Sequence, residues 1–217
     1  MFNTEKELVQ FFLKNENKKK NTIVFVEVET NYGRPDIVIV NYDETVLNKR
    51  ISEYKNVPFE RLHSYTLAFL YKKRWVKVET LKNFLNVSLK RTEKIISDLK
   101  QKNLIEEKNH LIKIKKNREI LVVKRIKVFE AKLANWKYVI EQAERHLWFT
   151  NESSVLLPDL STETILKSEK MCEAKGIGLT IAKKNKVVKY LSFQKPSLIN
   201  TPLLWEINER IIEELRS

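Results

Sequence analysis

The chain has 217 residues, a formal net charge of +13 at pH 7 and a single cysteine, Cys172. Its length suits one large domain or two small ones, and a hydrophobic content of 42% is typical of a globular protein. No apolar run reaches the roughly 18 residues that span a bilayer, and the first residues lack the basic-then-apolar order of a signal peptide. One cysteine excludes an internal disulfide and a cysteine-based zinc site, so we expect a reducing, cytoplasmic setting.

The first part of the chain predicts a helix followed by two strands. In NTEKELVQFFLKN (residues 3–15), Leu8, Phe11 and Phe12 share one face of a three-turn amphipathic helix. The next stretch, TIVFVEVETNYGRPDIVIVNYDE, is rich in β-formers, and Asn31–Gly33 predicts a turn within it. We expect a hairpin whose second strand begins at Pro35, where the missing N–H does no harm.

The pattern then changes to helices. Residues 58–74 have helical spacing, and a turn at Asn86–Ser88 separates a short helix, Thr80–Leu85, from a longer one, Leu89–Lys102. A strand pair over Leu104–Lys115 follows, and the whole order resembles a winged helix-turn-helix. The apolar residues expected to form its small core are Leu81, Phe84, Leu85, Val87, Ile95, Leu99, Leu104 and Ile105.

Positive charge is concentrated in this segment. Between Lys72 and Arg118, fifteen Lys and Arg residues stand against five Asp and Glu, a net charge of +10. A DNA partner accounts for this, with the longer helix in the major groove and the strand pair along the backbone. The side chains predicted to bind DNA are Lys90, Arg91, Lys94, Lys113, Lys115 and Lys116. The alternatives are a solvated Lys-rich surface for part of the charge, and a protein-docking role for the winged helix.

β character returns after Asn117. The stretch REILVVKRIKVFEAKL predicts two strands or one long bent strand, and NWKYVIEQAERHLWF predicts a helix. A short strand at Ser154–Leu157, a helix at Ser161–Ala174, a strand pair and a last helix follow.

We predict that the two flanks, residues 1–57 and 118–217, are the halves of one α/β domain. Residues 58–117 would then be an inserted domain. Each half carries charged residues on a strand-like run, Pro35-Asp36 in GRPDIVIV and Glu130-Ala131-Lys132 in VFEAKL. Burying an unpaired charge is costly. These residues therefore mark either an exposed strand end or a functional site.

Together with Gln142-Ala143 on the following helix and the later GIGL strand (Gly176–Leu179), these motifs resemble the PD-(D/E)XK nuclease superfamily. The resemblance covers residues 1–56 and residue 118 to the end. It implies the restriction-endonuclease-like fold, a mixed sheet flanked by helices in the α/β (α+β) class. The spacing departs from the family pattern, because the insert pushes the two acids far apart.

The resemblance implies hydrolysis of phosphodiester bonds with Mg²⁺ or Mn²⁺, which neutralises phosphate charge and activates water. Asp36, Glu130 and the Ala131 carbonyl would be the metal ligands, and Lys132 would orient or activate the water and offset charge. Gln142 would lie beside the site. Because residues two apart on a strand point to the same face, Glu130 and Lys132 are expected to face the site together.

A carboxylate from the first helix often joins such a metal, and Glu5 is our choice because it lies on the core face of that helix. Glu7, Glu27 and Glu29 remain candidates, and acids near a helix start are also favoured by the helix dipole alone.

Every predicted site residue also has a purely structural explanation. Asp36 could be a turn acid, Glu130 and Lys132 an ion pair on a solvated strand face, and Gln142 a surface residue. The histidines are scattered without ligand spacing and are expected to be structural or surface residues: His63, His110 and His146.

The leading interpretation is a metal-dependent DNA endonuclease whose winged helix holds or selects the DNA. The alternatives are a DNA-binding regulator on a nuclease-like scaffold and a structural subunit of a larger recombination or replication complex. The presence of an Asp, a Glu and a Lys at the expected offsets favours the enzyme. A homodimer would be favoured if one site per chain has to cut two strands.

Overall fold

A computed structural model describes residues 2–16, 20–30 and 33–216. The chain forms two compact units, each built from two separate stretches. Unit 1 contains Met1–Asn41 and Arg125–Ile199, and unit 2 contains Tyr42–Lys124 and Asn200–Ser217. This division differs from the predicted boundaries, because unit 2 extends beyond residues 58–117 on both sides and includes the last helix.

The elements follow the predicted order with three additions, namely the second helix, the sixth helix and the two-residue third strand. They are α1 (Glu5–Asn15), β1 (Thr22–Val26), β2 (Ile37–Tyr42), α2 (Glu44–Ser52), α3 (Arg61–Leu70), β3 (Val76–Lys77), α4 (Val78–Leu85), α5 (Leu89–Gln101), β4 (Ile105–Lys108), β5 (Leu111–Ile114), α6 (Asn117–Ile120), β6 (Val123–Ala131), α7 (Trp136–Arg145), β7 (Glu152–Pro158), α8 (Thr162–Lys175), β8 (Gly178–Lys183), β9 (Lys186–Leu191) and α9 (Pro202–Leu215). A single 3₁₀ turn, His146–Trp148, extends α7. Among the helices described, none is long and apolar enough to cross a membrane.

Unit 1 is built on a six-stranded mixed sheet in the order β1-β2-β6-β7-β8-β9. The outer pairs β1–β2 and β8–β9 are antiparallel, whereas β7 runs parallel to both β6 and β8. The predicted mixed sheet flanked by helices is therefore confirmed. The hairpin is confirmed too, although β2 begins at Ile37 rather than Pro35. The predicted turn falls partly on Asn31 and Tyr32, which lie outside the described residues.

Alternating residues of the central strands divide the core of unit 1 into two layers. Phe129 and Ala131 of β6 and Leu156 of β7 pack with Leu8 and Phe12 of α1. The neighbouring β7 residues, Val155 and Leu157, pack instead with the apolar faces of α7 and α8. Helix α1 therefore covers one face of the sheet, and α7 and α8 cover the other.

Close packing explains one of the few glycines in the chain. A Cβ built on Gly178 would lie 2.2 Å from Ser154 Oγ and 3.2 Å from the Leu191 carbonyl oxygen. The GIGL strand therefore needs glycine at this position so that β7, β8 and β9 can approach.

The core of unit 2 contains residues of α3, α4, α5, α6 and α9 and of a small sheet of order β3-β5-β4. The predicted short helix, the longer helix after it and the following strand pair are confirmed within a few residues. Most of the predicted core residues are buried, including Leu81, Ile95 and Leu99. Leu85 and Val87 are half-buried, and Phe84 is 48% exposed and stacks on Phe69, with ring centroids 4.1 Å apart.

A buried ion pair links the two separate stretches of the chain that form unit 2. Arg50 of α2 and Glu209 of α9 lie 2.9 Å apart between Nη2 and Oε1, with side chains only 4% and 3% exposed. The Arg50 guanidinium also donates to the Ile120 carbonyl, and Lys102 Nζ lies 3.6 Å from Glu209 Oε2. Two buried cations therefore share one carboxylate.

Removing that carboxylate should destabilise the fold strongly. We expect Glu209→Gln to lower the free energy of unfolding by about 3 kcal/mol, because Arg50 and Lys102 would remain buried without a counter-charge. Urea denaturation followed by circular dichroism measures it. Glu214→Gln is the matched control, since its partner Arg210 is 3.9 Å away at the surface and such pairs contribute at most about 1 kcal/mol. Equal effects of the two variants would contradict the prediction.

Candidate functional site

The candidate site forms where the chain enters β2 and leaves β6. Asp36 directly precedes β2, and its Oδ2 accepts a hydrogen bond of 2.7 Å from the backbone N–H of Ala131, the last residue of β6. The two residues are 95 positions apart in sequence. One side-chain hydrogen bond thus joins the two predicted motifs.

Glu130 is buried beside this bond. Its side chain is only 7% exposed, and it belongs to the sheet face opposite Ala131 because successive strand residues alternate. His146 Nε2, in the turn that extends α7, lies 2.5 Å from Glu130 Oε1. Burial on this scale excludes the alternative in which Glu130 lies on a solvated strand face.

The surroundings of Asp36 disfavour its ionised form. The pKa of Asp36 is raised to about 6, mainly by burial and also by the carboxylates of Glu130 and Glu5. The hydrogen bond from Ala131 N–H acts in the opposite direction but does not compensate. A carboxyl with a raised pKa beside a second carboxylate is typical of a functional site rather than of a structural turn.

Lys132 lies one residue beyond the end of β6, so the strand alternation no longer determines its direction. Its Nζ donates a 2.9 Å hydrogen bond to Oε2 of Glu5, at the start of α1. This bond raises the pKa of Lys132, and the charges of Asp36 and Glu130 contribute in the same direction. Lys132 is therefore an ammonium ion at neutral pH, held by Glu5 and close to both acids.

Gln142 lies on α7, and its Oε1 is buried without a hydrogen-bond partner among the described residues. His146 follows four positions later, and residues at this spacing share a helix face. Its Nδ1 is likewise buried and unpartnered within the described part of the chain. The structure gives no hydrogen bond between Gln142 and the acids or Lys132.

The scattered histidines predict no site, yet His146 contacts Glu130. The only signal in the sequence is its spacing from Gln142, since a helix that presents Gln142 to the site also presents the residue four positions on.

The other predicted carboxylates lie in different surroundings. Glu7 is exposed and accepts a hydrogen bond from the Asn3 N–H at the start of α1. Glu27 is exposed and pairs with Arg34, and Glu29 is exposed. Of the four candidates Glu5, Glu7, Glu27 and Glu29, only Glu5 contacts Lys132 and raises the pKa of Asp36.

The donor set suits a hard divalent cation held by few protein ligands. No group of three or more His, Cys, Asp and Glu side chains with metal-binding geometry occurs among residues 2–16, 20–30 and 33–216. Mg²⁺ is commonly held by one or two carboxylates together with water and substrate phosphate. Asp36 and Glu130 supply two carboxylates, and a cation would relieve the repulsion from Glu130 that, after burial, contributes to the raised pKa of Asp36.

The predicted DNA-binding residues differ in their surroundings. On α5, Arg91 pairs with Glu60, and Lys94 Nζ lies 2.6 Å from Asp98 Oδ1, whereas Lys90 is exposed. Along and after β5, Lys113 lies over a tryptophan ring, Lys115 donates to an asparagine, and Lys116 is exposed.

Comparisons with protein-family models, with curated proteins and with solved structures find no match for this chain. Its function is therefore inferred from the geometry described above.

Replacing Asp36 by its neutral isostere should stabilise the protein. Since the pKa of Asp36 is about 6 in the folded state against an ordinary 3.8, the folded state binds this proton more tightly than the unfolded chain does, and stability falls as the pH rises from about 4 to about 6. We expect Asp36→Asn to be more stable than the wild type by roughly 1 to 3 kcal/mol at pH 7.5. The difference should shrink as the pH falls towards 4.

Urea denaturation at a series of pH values measures this difference. Asp159→Asn, which neutralises an exposed acid in the same unit, is the control and should show no such trend. A less stable Asp36→Asn at pH 7.5 would mean that the carboxylate serves the fold.

The contact between His146 and Glu130 should be energetically coupled. His146→Leu removes a hydrogen-bond partner of a buried carboxylate, so we expect a loss of roughly 2 kcal/mol. The double variant with Glu130→Leu should cost clearly less than the sum of the two single variants, by about 1 kcal/mol or more. Chemical denaturation of the four proteins gives this coupling energy, and strict additivity would show that the contact carries none.

Proposed function

We propose that this protein is a metal-dependent nuclease that hydrolyses phosphodiester bonds of DNA. The observation that carries the proposal is the hydrogen bond between Asp36 Oδ2 and Ala131 N–H, which joins the acid of one motif to the strand of the other. Glu130, Lys132 and Glu5 surround it. A constellation of two acids and a lysine at one sheet end is what the resemblance to the PD-(D/E)XK superfamily leads one to expect.

The topology of unit 1 is compatible with this proposal. In the sheet, the hairpin β1–β2 adjoins β6, the strand that bears Glu130. Helix α7 follows β6, and the next strand, β7, runs parallel to β6. In unit 2, the order α3-β3-α4-α5-β4-β5 is the order expected of a winged helix, here proposed to bind the DNA.

In the proposed reaction, Asp36, Glu130 and the Ala131 carbonyl would hold Mg²⁺ or Mn²⁺. When bound, the metal would neutralise charge on the phosphate and lower the pKa of the attacking water. Lys132 acts as an ammonium donor to a phosphate oxygen, because its pKa is raised rather than lowered. Of the two roles predicted for Lys132, charge stabilisation is thus favoured over removal of a proton from water.

Two further residues position this set. Glu5 holds the Lys132 ammonium through the 2.9 Å bond between Oε2 and Nζ. His146 holds the Glu130 carboxylate at 2.5 Å, which fixes the orientation of a proposed metal ligand, as the partners of metal-binding carboxylates commonly do.

Cleavage of supercoiled and linear DNA by the full chain tests the proposal. We expect nicking or linearisation in Mg²⁺ or Mn²⁺, none in EDTA, and a loss on the order of 10²-fold or more for Asp36→Asn and Lys132→Met. The matched controls Asp159→Asn and Lys184→Met alter exposed residues of the same unit and should cut like the wild type. Metal-independent cleavage, or cleavage that survives both site variants, would exclude the proposed site.

A DNA-binding protein without cleavage is the second candidate. It is favoured by the concentration of charge between Lys72 and Arg118, which does not depend on the acids of unit 1. Tight DNA binding without cleavage in either metal would select this candidate.

A further inference from the structure

A groove in unit 2 is lined mainly by positive side chains. It measures about 460 Å³ and lies between the C-terminal end of α3 and the stretch from β5 into α6. Its nine lining residues in the described part of the chain include no acid, and six of them are cations: Lys72, Lys73, Lys113, Lys115, Lys116 and Arg118. We call this the basic groove.

The cations of the basic groove have no carboxylate partner within the described residues. Lys73 lies 3.5 Å from the centre of the Phe69 ring, and Lys113 lies over the ring of Trp75. Lys115 donates to Asn103 Oδ1. Since none of these cations forms an ion pair with a described carboxylate, the groove keeps a positive potential.

The predicted recognition helix α5 differs in this respect. Its Arg91 is paired with Glu60 and its Lys94 with Asp98, so part of its charge is already compensated. An incoming phosphate would have to compete with these carboxylates. The electrostatics of unit 2 therefore favour the basic groove over α5 as the place where a polyanion binds.

An exposed aromatic ring adjoins the groove. Trp75 is 40% exposed, and the neighbouring Val76 pairs with Ile112 of β5. Lys113 Nζ lies 5.8 Å from the centre of the Trp75 ring. Cations beside an exposed ring suit nucleic acid better than an inorganic anion, because the ring can contact a sugar or stack on a base.

We propose that the basic groove is the main binding site for the nucleic-acid backbone, with Trp75 contacting the sugar or base beside it. This inference deepens the proposed function by locating the contact with the polynucleotide. It concerns binding alone, so it can be tested without metal and without cleavage.

The test is fluorescence anisotropy of a labelled DNA duplex and a labelled single strand, in EDTA, over a range of salt concentrations. The groove variant Lys72→Gln/Lys116→Gln/Arg118→Gln removes three exposed groove charges. We expect it to bind at least 30-fold more weakly at low salt, with a slope of log K against log[salt] reduced by about three. The matched variant Lys90→Gln/Arg91→Gln/Lys94→Gln removes the same charge from α5 and should lose less than fivefold.

Trp75→Phe gives an independent readout. Binding should change the tryptophan fluorescence of the wild type and leave that of Trp75→Phe much less affected. Thermal unfolding of all variants verifies that the fold is retained.

The opposite ranking of the two triple variants would overturn the inference and assign binding to α5. Stronger binding to phosphatidylserine vesicles than to DNA at equal charge concentration, lost in the groove variant, would also overturn it. A variant of the candidate site, such as Asp36→Asn, that loses cleavage but binds DNA like the wild type would concern only the proposed nuclease activity.

Discussion

The hydrogen bond from Ala131 N–H to Asp36 Oδ2 is the constraint on which the candidate site depends. It is made at the point where two distant stretches of the chain become neighbours in one sheet. If β2 and β6 were paired one residue out of register, Glu130 and Ala131 would exchange faces, and Asp36 would meet a different backbone group. The sheet therefore specifies the relative positions of the acids to within a single residue, which a loop-borne site could not do as reliably.

The same constraint has an energetic cost that unit 1 tolerates. Asp36 ionises unfavourably beside Glu130 and Glu5, and Glu130 is buried against His146. Charges held at a cost in the resting protein are typical of sites that are completed by a ligand, because the ligand recovers the electrostatic energy. Unit 2 shows the contrasting case, since the buried Glu209 carboxylate is matched by the cations of Arg50 and Lys102. The unmatched acids of unit 1 are typical of a functional site, whereas the matched charges of unit 2 are typical of a structural ion pair.

Much of this architecture could be predicted from local patterns, and the exceptions share one physical origin. Helix α1, the hairpin and the helix pair α4–α5 follow from apolar spacing and turn residues. Helix α2 was not predicted, because its buried residues include Arg50, whose burial depends on a carboxylate 159 positions away. His146 was not predicted as a site residue for the same reason, because its partner Glu130 belongs to another element. Phe84 looks like a core residue but is exposed. Pairing across the fold decides these positions, and local sequence does not record it.

The discontinuity of unit 2 has a consequence for the order in which the chain folds during synthesis. The carboxylate that Arg50 and Lys102 share lies on α9, so both cations lack their partner until residues 202–215 have left the ribosome. All of residues 125–199 emerge before that helix. All strands of unit 1 have therefore emerged before the last helix of unit 2. Domains generally fold as units during synthesis. The nascent chain would thus acquire the candidate site before unit 2 is complete, although residues 42–124 of unit 2 are synthesised before residues 125–199 of unit 1.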